Sequence, residues 1–213
     1  VEAIEKLAHR LAKTDFQMNT HAIGDSANAV VLNAYQKVLA DKPGRRWRVE
    51  HAQIIDGLDI PSFSSDIIPS VQPTHATSDM YWAEKRLGSE RMNGAYAYAR
   101  LLKQSGILAL GTDFPVEQVN PFLTFYAATT RQDTSGWPEG GFLPDEALSR
   151  TETLWGMTRW AAYAMFREQE IGSIEVGKRA DFCVLDQDIM EVRPQYIPQT
   201  KVLATFVDGQ KVY

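Results

Sequence analysis

Three side chains in this 213-residue sequence have the types and spacing to build a metal-centred hydrolytic site: His21, His51 and Asp113. His21 stands in Asn19-Thr20-His21-Ala22-Ile23-Gly24-Asp25, His51 in Arg48-Val49-Glu50-His51-Ala52-Gln53, and Asp113 in Leu110-Gly111-Thr112-Asp113-Phe114-Pro115. Each follows a short stretch that reads as a strand, so each is expected at a strand's carboxyl end. Side chains leaving the strand ends of a parallel sheet converge on one rim. Two imidazoles and a carboxylate suit a borderline-soft divalent ion such as zinc. Such an ion acidifies water, and Asp113 could take the proton and deliver it to a leaving group. Taken singly, a histidine at a strand end is more often a hydrogen-bonding residue than a ligand, and Asp113 could be a turn residue ahead of Pro115. The joint placement carries the reading.

His75, in Val71-Gln72-Pro73-Thr74-His75-Ala76, is a fourth candidate. It reads as a loop residue beyond the third strand, suited to substrate contact or to stabilising its own loop. Trp82 and Arg131 are further substrate-binding candidates, and Asp133 and Trp137 could line the same mouth. His9 lies on the expected surface of the opening helix and takes no role. Cys183 is the single cysteine, set in Phe182-Cys183-Val184-Leu185, and is expected to pack as a buried small hydrophobe rather than serve as a nucleophile.

The elements that must position these groups alternate. Ile4 to Lys13 has a helical period. Phe16 to Thr20 reads as a strand ending at His21. Asp25 is expected to cap a helix with Val30, Val31, Ala34, Tyr35, Val38 and Leu39 on one face. Trp47–Glu50 is the next strand, ending at His51, with a weaker helix near Leu58–Ser65 and a third strand from Ile67 to Gln72. Ser89 is expected to cap a helix running to about Gln104, and Ile107 to Gly111 forms a fourth strand. Strands alternating with helices indicate a parallel sheet with helical crossovers. Further on, Asn120-Pro121 is a cap followed by Pro at the first helical position, a Gly- and Pro-rich loop spans Thr134 to Pro144, and Ser149 with Glu152 has capping-box spacing ahead of one helix holding Leu154, Met157, Ala161, Ala162 and Met165. From Gly172 the chain reads as short strands at Ser173–Val176, Asp181–Leu185 and Leu203–Val207. The last pairs through Asp208-Gly209 with Lys211–Tyr213. Residues 1–171 are thus expected as one domain and 172–213 as part of an all-β module.

Net charge is −5 and basic residues are interspersed with acids, which argues against nucleic acid and for a small-molecule partner. No apolar run approaches the roughly 20 residues of a membrane helix. Cysteine usage fits a reducing compartment, so the cytoplasm is the expected location; the opening Val1-Glu2-Ala3-Ile4 reads as a cut, which leaves any upstream export signal open.

Together these segments resemble the amidohydrolase superfamily, in the family 3 branch that includes N-substituted formamide deformylase-like enzymes. The blocks are His21-Ala22-Ile23-Gly24-Asp25, Val49-Glu50-His51-Ala52-Gln53, Gln72-Pro73-Thr74-His75-Ala76, Gly111-Thr112-Asp113-Phe114-Pro115-Val116-Glu117 and Gly172 to Phe182, in the family's order across nearly the whole chain. The resemblance implies an α/β fold, the C-terminal half of a (β/α)8 TIM-type barrel (strands five to eight) plus part of a small β-sandwich. It implies His21 and His51 as metal ligands at the ends of strands five and six. Asp113, at the end of strand eight, becomes metal ligand and general base. One or two divalent ions, zinc foremost, would serve hydrolysis of a non-peptide, amide-like C–N bond.

The family's first-strand His-x-His pair and bridging lysine find no counterpart in this sequence. Weak or absent metal binding and little activity are therefore expected of the chain alone, and association of copies through exposed half-barrel edges. The alternative is a non-catalytic α/β interaction or scaffold module derived from the same fold.

Overall fold

A computed structural model describes residues 1–213. The chain divides into two compact units: Val1–Gln72 with Asp79–Ala109, and Pro73–Ser78 with Leu110–Tyr213. No helix is long and apolar enough to cross a membrane.

The first unit is built on parallel strands. After helix α1 (Glu2–Leu11), strand β1 (Asn19–Ala22) leads through Gly24 into helix α2 (Asp25–Leu39). Strands β2 (Trp47–His51) and β3 (Ile67–Val71) follow, and β4 (Ala109–Leu110) completes the sheet order β1-β2-β3-β4. β1 pairs parallel with β2, Ala22 opposite His51, and β2 pairs parallel with β3. Period-2 alternation in β2 buries Trp47, Val49 and His51, while Arg48 and Glu50 share the other face and form an ion pair at 2.7 Å. α2 buries Val31, Leu32, Ala34, Tyr35, Val38 and Leu39. Tyr35 packs edge-on against Trp47 with ring centroids 5.0 Å apart, and its hydroxyl meets Thr20 Oγ1 at 2.7 Å. Gly24, extended at φ −81° and ψ 160°, takes the N-cap position expected of Asp25, whose carboxylate instead sits in the first turn.

Several segments depart from the sequence expectation. The region near Leu58–Ser65 is one 3-10 turn, Ile60–Ser62. His75 lies not in a loop but in helix α3 (Pro73–Asp79), because Pro73 occupies the first helical position and starts the helix at the end of β3. A short helix α4 (Ala83–Leu87) follows. The helix expected from Ser89 to Gln104 is two pieces, α5 (Ser89–Met92) and α6 (Tyr98–Ser105), and Gly88 rather than Ser89 is the N-cap of α5. The chain leaves the helix there to pair with the segment after β2. Ile55 N–H donates to Gly94 O at 2.9 Å, Tyr96 N–H donates to Gln53 O at 2.7 Å, and Ile54 bridges Ala95. A Cβ on Gly94 would lie 1.7 Å from the Ile55 carbonyl oxygen, so only glycine permits this approach.

The second unit holds helix α7 (Pro121–Thr130), capped as expected by the Asn120 side chain accepting from Phe122 N–H. Phe122, Phe125, Tyr126 and Ile197 form its buried core, with Leu154, Met157, Leu185 and Val202 packed around them. The Ser149–Glu152 capping box starts helix α8 (Arg150–Met157). Thr158 then breaks the expected single helix, its Oγ1 donating back to Leu154 O at 2.6 Å, and α9 (Arg159–Ala164) begins beyond it. Past residue 171 the helices give way to β5 (Phe182–Leu185), β6 (Val202–Val207) and β7 (Gln210–Lys211), an antiparallel sheet in that order. Asp208 and Gly209 both adopt positive φ, as a tight two-residue hairpin turn requires. Ser173–Val176 is no strand: Lys178 N–H returns to Glu175 O at 3.2 Å in a turn, and Ile174 and Val176 face solvent. Cys183 is exposed, contrary to expectation: Phe182, Cys183 and Val184 alternate between the two faces of β5 and all three are open to solvent, so neither face is fully covered.

Candidate active site

In the first unit, β1 and β2 carry His21 and His51 side by side. Parallel pairing sets Ala22 opposite His51, so His21 is one residue short of register with it. The rings still meet, with His21 Nδ1 2.8 Å from His51 Nε2 and centroids 4.8 Å apart. His51 is buried and His21 exposed, which gives the pair one sheltered and one open side. His51 Nδ1 lies 2.9 Å from Gln72 Oε1 at the end of β3. An amide oxygen only accepts, so the neutral His51 ring carries its proton on Nδ1 and its Nε2 lone pair faces His21 Nδ1, an assignment from the hydrogen-bond partners. Histidines that hold metal ions are oriented by this kind of second contact. The donor set of the pair therefore fits a divalent cation.

The backbone around His51 is held in a costly shape. His51 and Ala52 have φ of 74° and 42°, a region non-glycine residues seldom enter, and such strain gathers at functional positions. Asn28 Nδ2 reaches the carbonyls of Ala22, Gly24 and Ile54 at 3.1, 3.0 and 3.0 Å, tying the turn after β1 to the segment after β2. Beside them Asp79 Oδ2 accepts from Gln53 Nε2 at 2.7 Å and from the Tyr96 hydroxyl at 2.9 Å. Burial, with the Asp79 charge adding to it, pushes the Tyr96 phenol well above its ordinary range and keeps it a donor.

In the second unit, Asp113 follows the end of β4 with φ 58°. Its Oδ2 is 3.3 Å from His75 Nε2, and His75 Nδ1 is 3.0 Å from Glu117 Oε1. Ser78 Oγ donates to that same Glu117 oxygen at 2.7 Å. The imidazole is thus held between two carboxylates.

Of the other expected site residues, Trp82 is the exposed N-cap residue of α4. Arg131 is fully buried in the second unit, its Nε donating to Phe142 O at 2.9 Å, so its guanidinium is engaged in holding the following loop. Asp133 is also occupied locally, its Oδ1 accepting from the backbone of Ser135 and Trp137. Gln72 and Glu117 were not anticipated. A polar side chain one residue past a strand end, and a carboxylate four residues after Asp113, are the signals that point to them.

Parallel strands with imidazoles near their carboxyl ends define the class, an α/β protein built on a parallel sheet. The chain belongs to the amidohydrolase family, which matches residues 1–213. It is 36% identical over 205 residues to the protein LONG AFTER FAR-RED 3 of Arabidopsis thaliana, covering 94% of this chain and 35% of that protein. N-substituted formamide deformylase of Arthrobacter pascens is 28% identical over 210 residues, covering 97% of this chain and 38% of the enzyme. Among solved structures, an uncharacterized metal-dependent hydrolase from Pyrococcus horikoshii superposes with a TM-score of 0.78 at 29% identity, over 91% of this chain and 38% of that one. The chain spans between a third and two fifths of the length of these relatives.

Proposed function

We propose that this chain is part of a metal-dependent amidohydrolase that cleaves a non-peptide, amide-like C–N bond. The observation that carries the reading is the His21–His51 nitrogen pair, with the outer nitrogen of His51 tied to Gln72. A divalent ion bound by His21 and His51, zinc foremost, supplies positive charge that polarises a carbonyl and acidifies water. Asp113 is assigned as a third ligand and as the general base on its place in Gly111-Thr112-Asp113-Phe114-Pro115. A proton accepted at Asp113 Oδ2 has His75 Nε2 within 3.3 Å, so His75 can hold it before a leaving amine takes it. Trp82, exposed, is retained as a substrate contact, whereas Arg131 acts by fixing the loop that reaches Phe142.

The same reading makes β1 to β4 strands five to eight of a (β/α)8 barrel and β5 to β7 part of a small β-sandwich, with the boundary at 171/172. His21 and His51 alone fall short of the three protein ligands of an ordinary catalytic zinc site, so weak metal binding, little turnover and association of copies through exposed strand edges are the expected behaviour of the chain by itself. Cobalt(II) titration followed by its visible spectrum is the test. Imidazole-type binding should appear in the chain and vanish in His21→Ala and His51→Ala; unchanged binding in both variants rejects the assignment.

A further inference from the structure

We infer that Asn28 is a positioning residue for the His21–His51 pair: it keeps His51 in the left-handed backbone that carries its ring across the sheet to His21. The inference rests on the metal reading for its purpose and on the geometry of the first unit for its substance. By strand alternation the two histidines belong on opposite faces. Thr20, Trp47 and Val49 lie on the face toward α2, where Thr20 and Trp47 meet Tyr35, and His51 follows Val49 by two residues. His21 is in register with Glu50 on the other face. Yet His21 Nδ1 and His51 Nε2 are 2.8 Å apart. The backbone resolves this. Changing φ from about −120° in a parallel strand to the 74° of His51 swings Cβ roughly half a turn about the N–Cα bond, and Ala52 follows at φ 42°. Non-glycine residues keep this conformation only where their surroundings impose it. Asn28, fully buried on α2, supplies that constraint. Its Nδ2 lies 3.1, 3.4 and 3.0 Å from the carbonyls of Ala22, Ile23 and Gly24 in the turn after His21, and 3.0 Å from that of Ile54, three residues past His51. Ile54 N–H donates to Ile23 O at 2.9 Å beside it. The side-chain oxygen Oδ1 is buried without a partner, a cost that a leucine of similar volume avoids, so the Nδ2 bonds are what this residue contributes.

Two readouts test this: through-space contacts between the two imidazoles in NMR spectra of the metal-free chain, and cobalt(II) affinity. His21→Gln and His51→Gln identify the two rings among the four histidines. The wild-type spectra should show the ring-to-ring contact. Asn28→Leu keeps the volume and removes the donors; the contact should vanish and affinity fall by about 10-fold, as for loss of an outer partner of a ligand. Adding Ala52→Gly, which enters the left-handed backbone without penalty, should restore part of both. A purely structural role predicts no such rescue, since glycine adds freedom to the unfolded chain. Ser105→Ala removes a buried hydroxyl bond to Leu101 O in the same unit and should cost stability with contact and affinity unchanged. The inference is overturned by a wild-type chain without the ring contact, by a folded Asn28→Leu that keeps the contact or its imidazole-dependent affinity, or by a double variant no better than Asn28→Leu. Should Asn28→Leu fail to fold, Asn28→Ser, with a single shorter donor, is read against the same criteria. Cobalt binding indifferent to His21→Ala and His51→Ala would remove the metal reading, while a ring contact that depends on Asn28 would leave the positioning role standing.

Discussion

The first unit sets two nitrogen atoms face to face, His21 Nδ1 and His51 Nε2, with an amide oxygen behind one of them. The second alternates acid and base, Asp113 to His75 to Glu117, with a hydroxyl behind the last. The same side chain, histidine, meets different partners in each. Backed by an amide, an imidazole is a fixed lone-pair donor suited to a cation. Placed between carboxylates, it is suited to carrying a proton. The lesson is that the partner of the far nitrogen, not the histidine itself, decides the role.

Substitutions can break this contrast. The largest effect is expected for His51→Ala, which removes a nitrogen and unmoors its partner; metal affinity measured by cobalt titration should fall by at least about 100-fold, beyond what losing an outer contact costs. Gln72→Leu leaves both imidazoles but frees the His51 tautomer, and the same titration should show a loss of about 10-fold. Ser149→Ala removes the capping box of α8 in the second unit, and denaturant unfolding should report a loss of about 1 kcal/mol with metal binding untouched. The last contrast is one of pH and is read in Tyr96→Phe. Burial and Asp79 raise the Tyr96 phenol above its unfolded value of about 10, so its stabilisation is complete below that pH and is lost as pH rises toward the folded value. Alkaline unfolding should therefore be less steep in Tyr96→Phe, whereas an unaltered alkaline limb would place the sensitivity elsewhere, with Tyr35 the next phenol to replace.

Strand ends could be read from the residues themselves because alternation in Trp47–His51 and the apolar run at Ile67–Val71 are strong local patterns that tertiary packing preserved. His21 and His51 stand at the carboxyl-terminal ends of β1 and β2, as those patterns predict. The break between α5 and α6 was hidden, since Met92, Ala95, Tyr96 and Ala99 keep a helical period while a non-local pairing with Ile54 and Ile55 draws the backbone out of the helix. α3 was missed because Thr74 to Ser78 is short and has no apolar stripe. For Gln72 and Glu117 the residue type and its place after a strand end or after Asp113 are the whole of the signal; their meaning comes from which nitrogen they face, a matter of orientation in space. Cys183 misled for a related reason, as an apolar run does not say whether its sheet has a second layer.

That exposed thiol has a practical corollary. A polypeptide with a single sulfhydryl can form just one species of covalent pair under mild oxidation, the Cys183–Cys183 bridge, which joins two copies through equivalent edges of β5. The same atom offers a unique handle for a spin label or fluorophore, attached where the side chain reaches solvent and far along the chain from every residue assigned a chemical role.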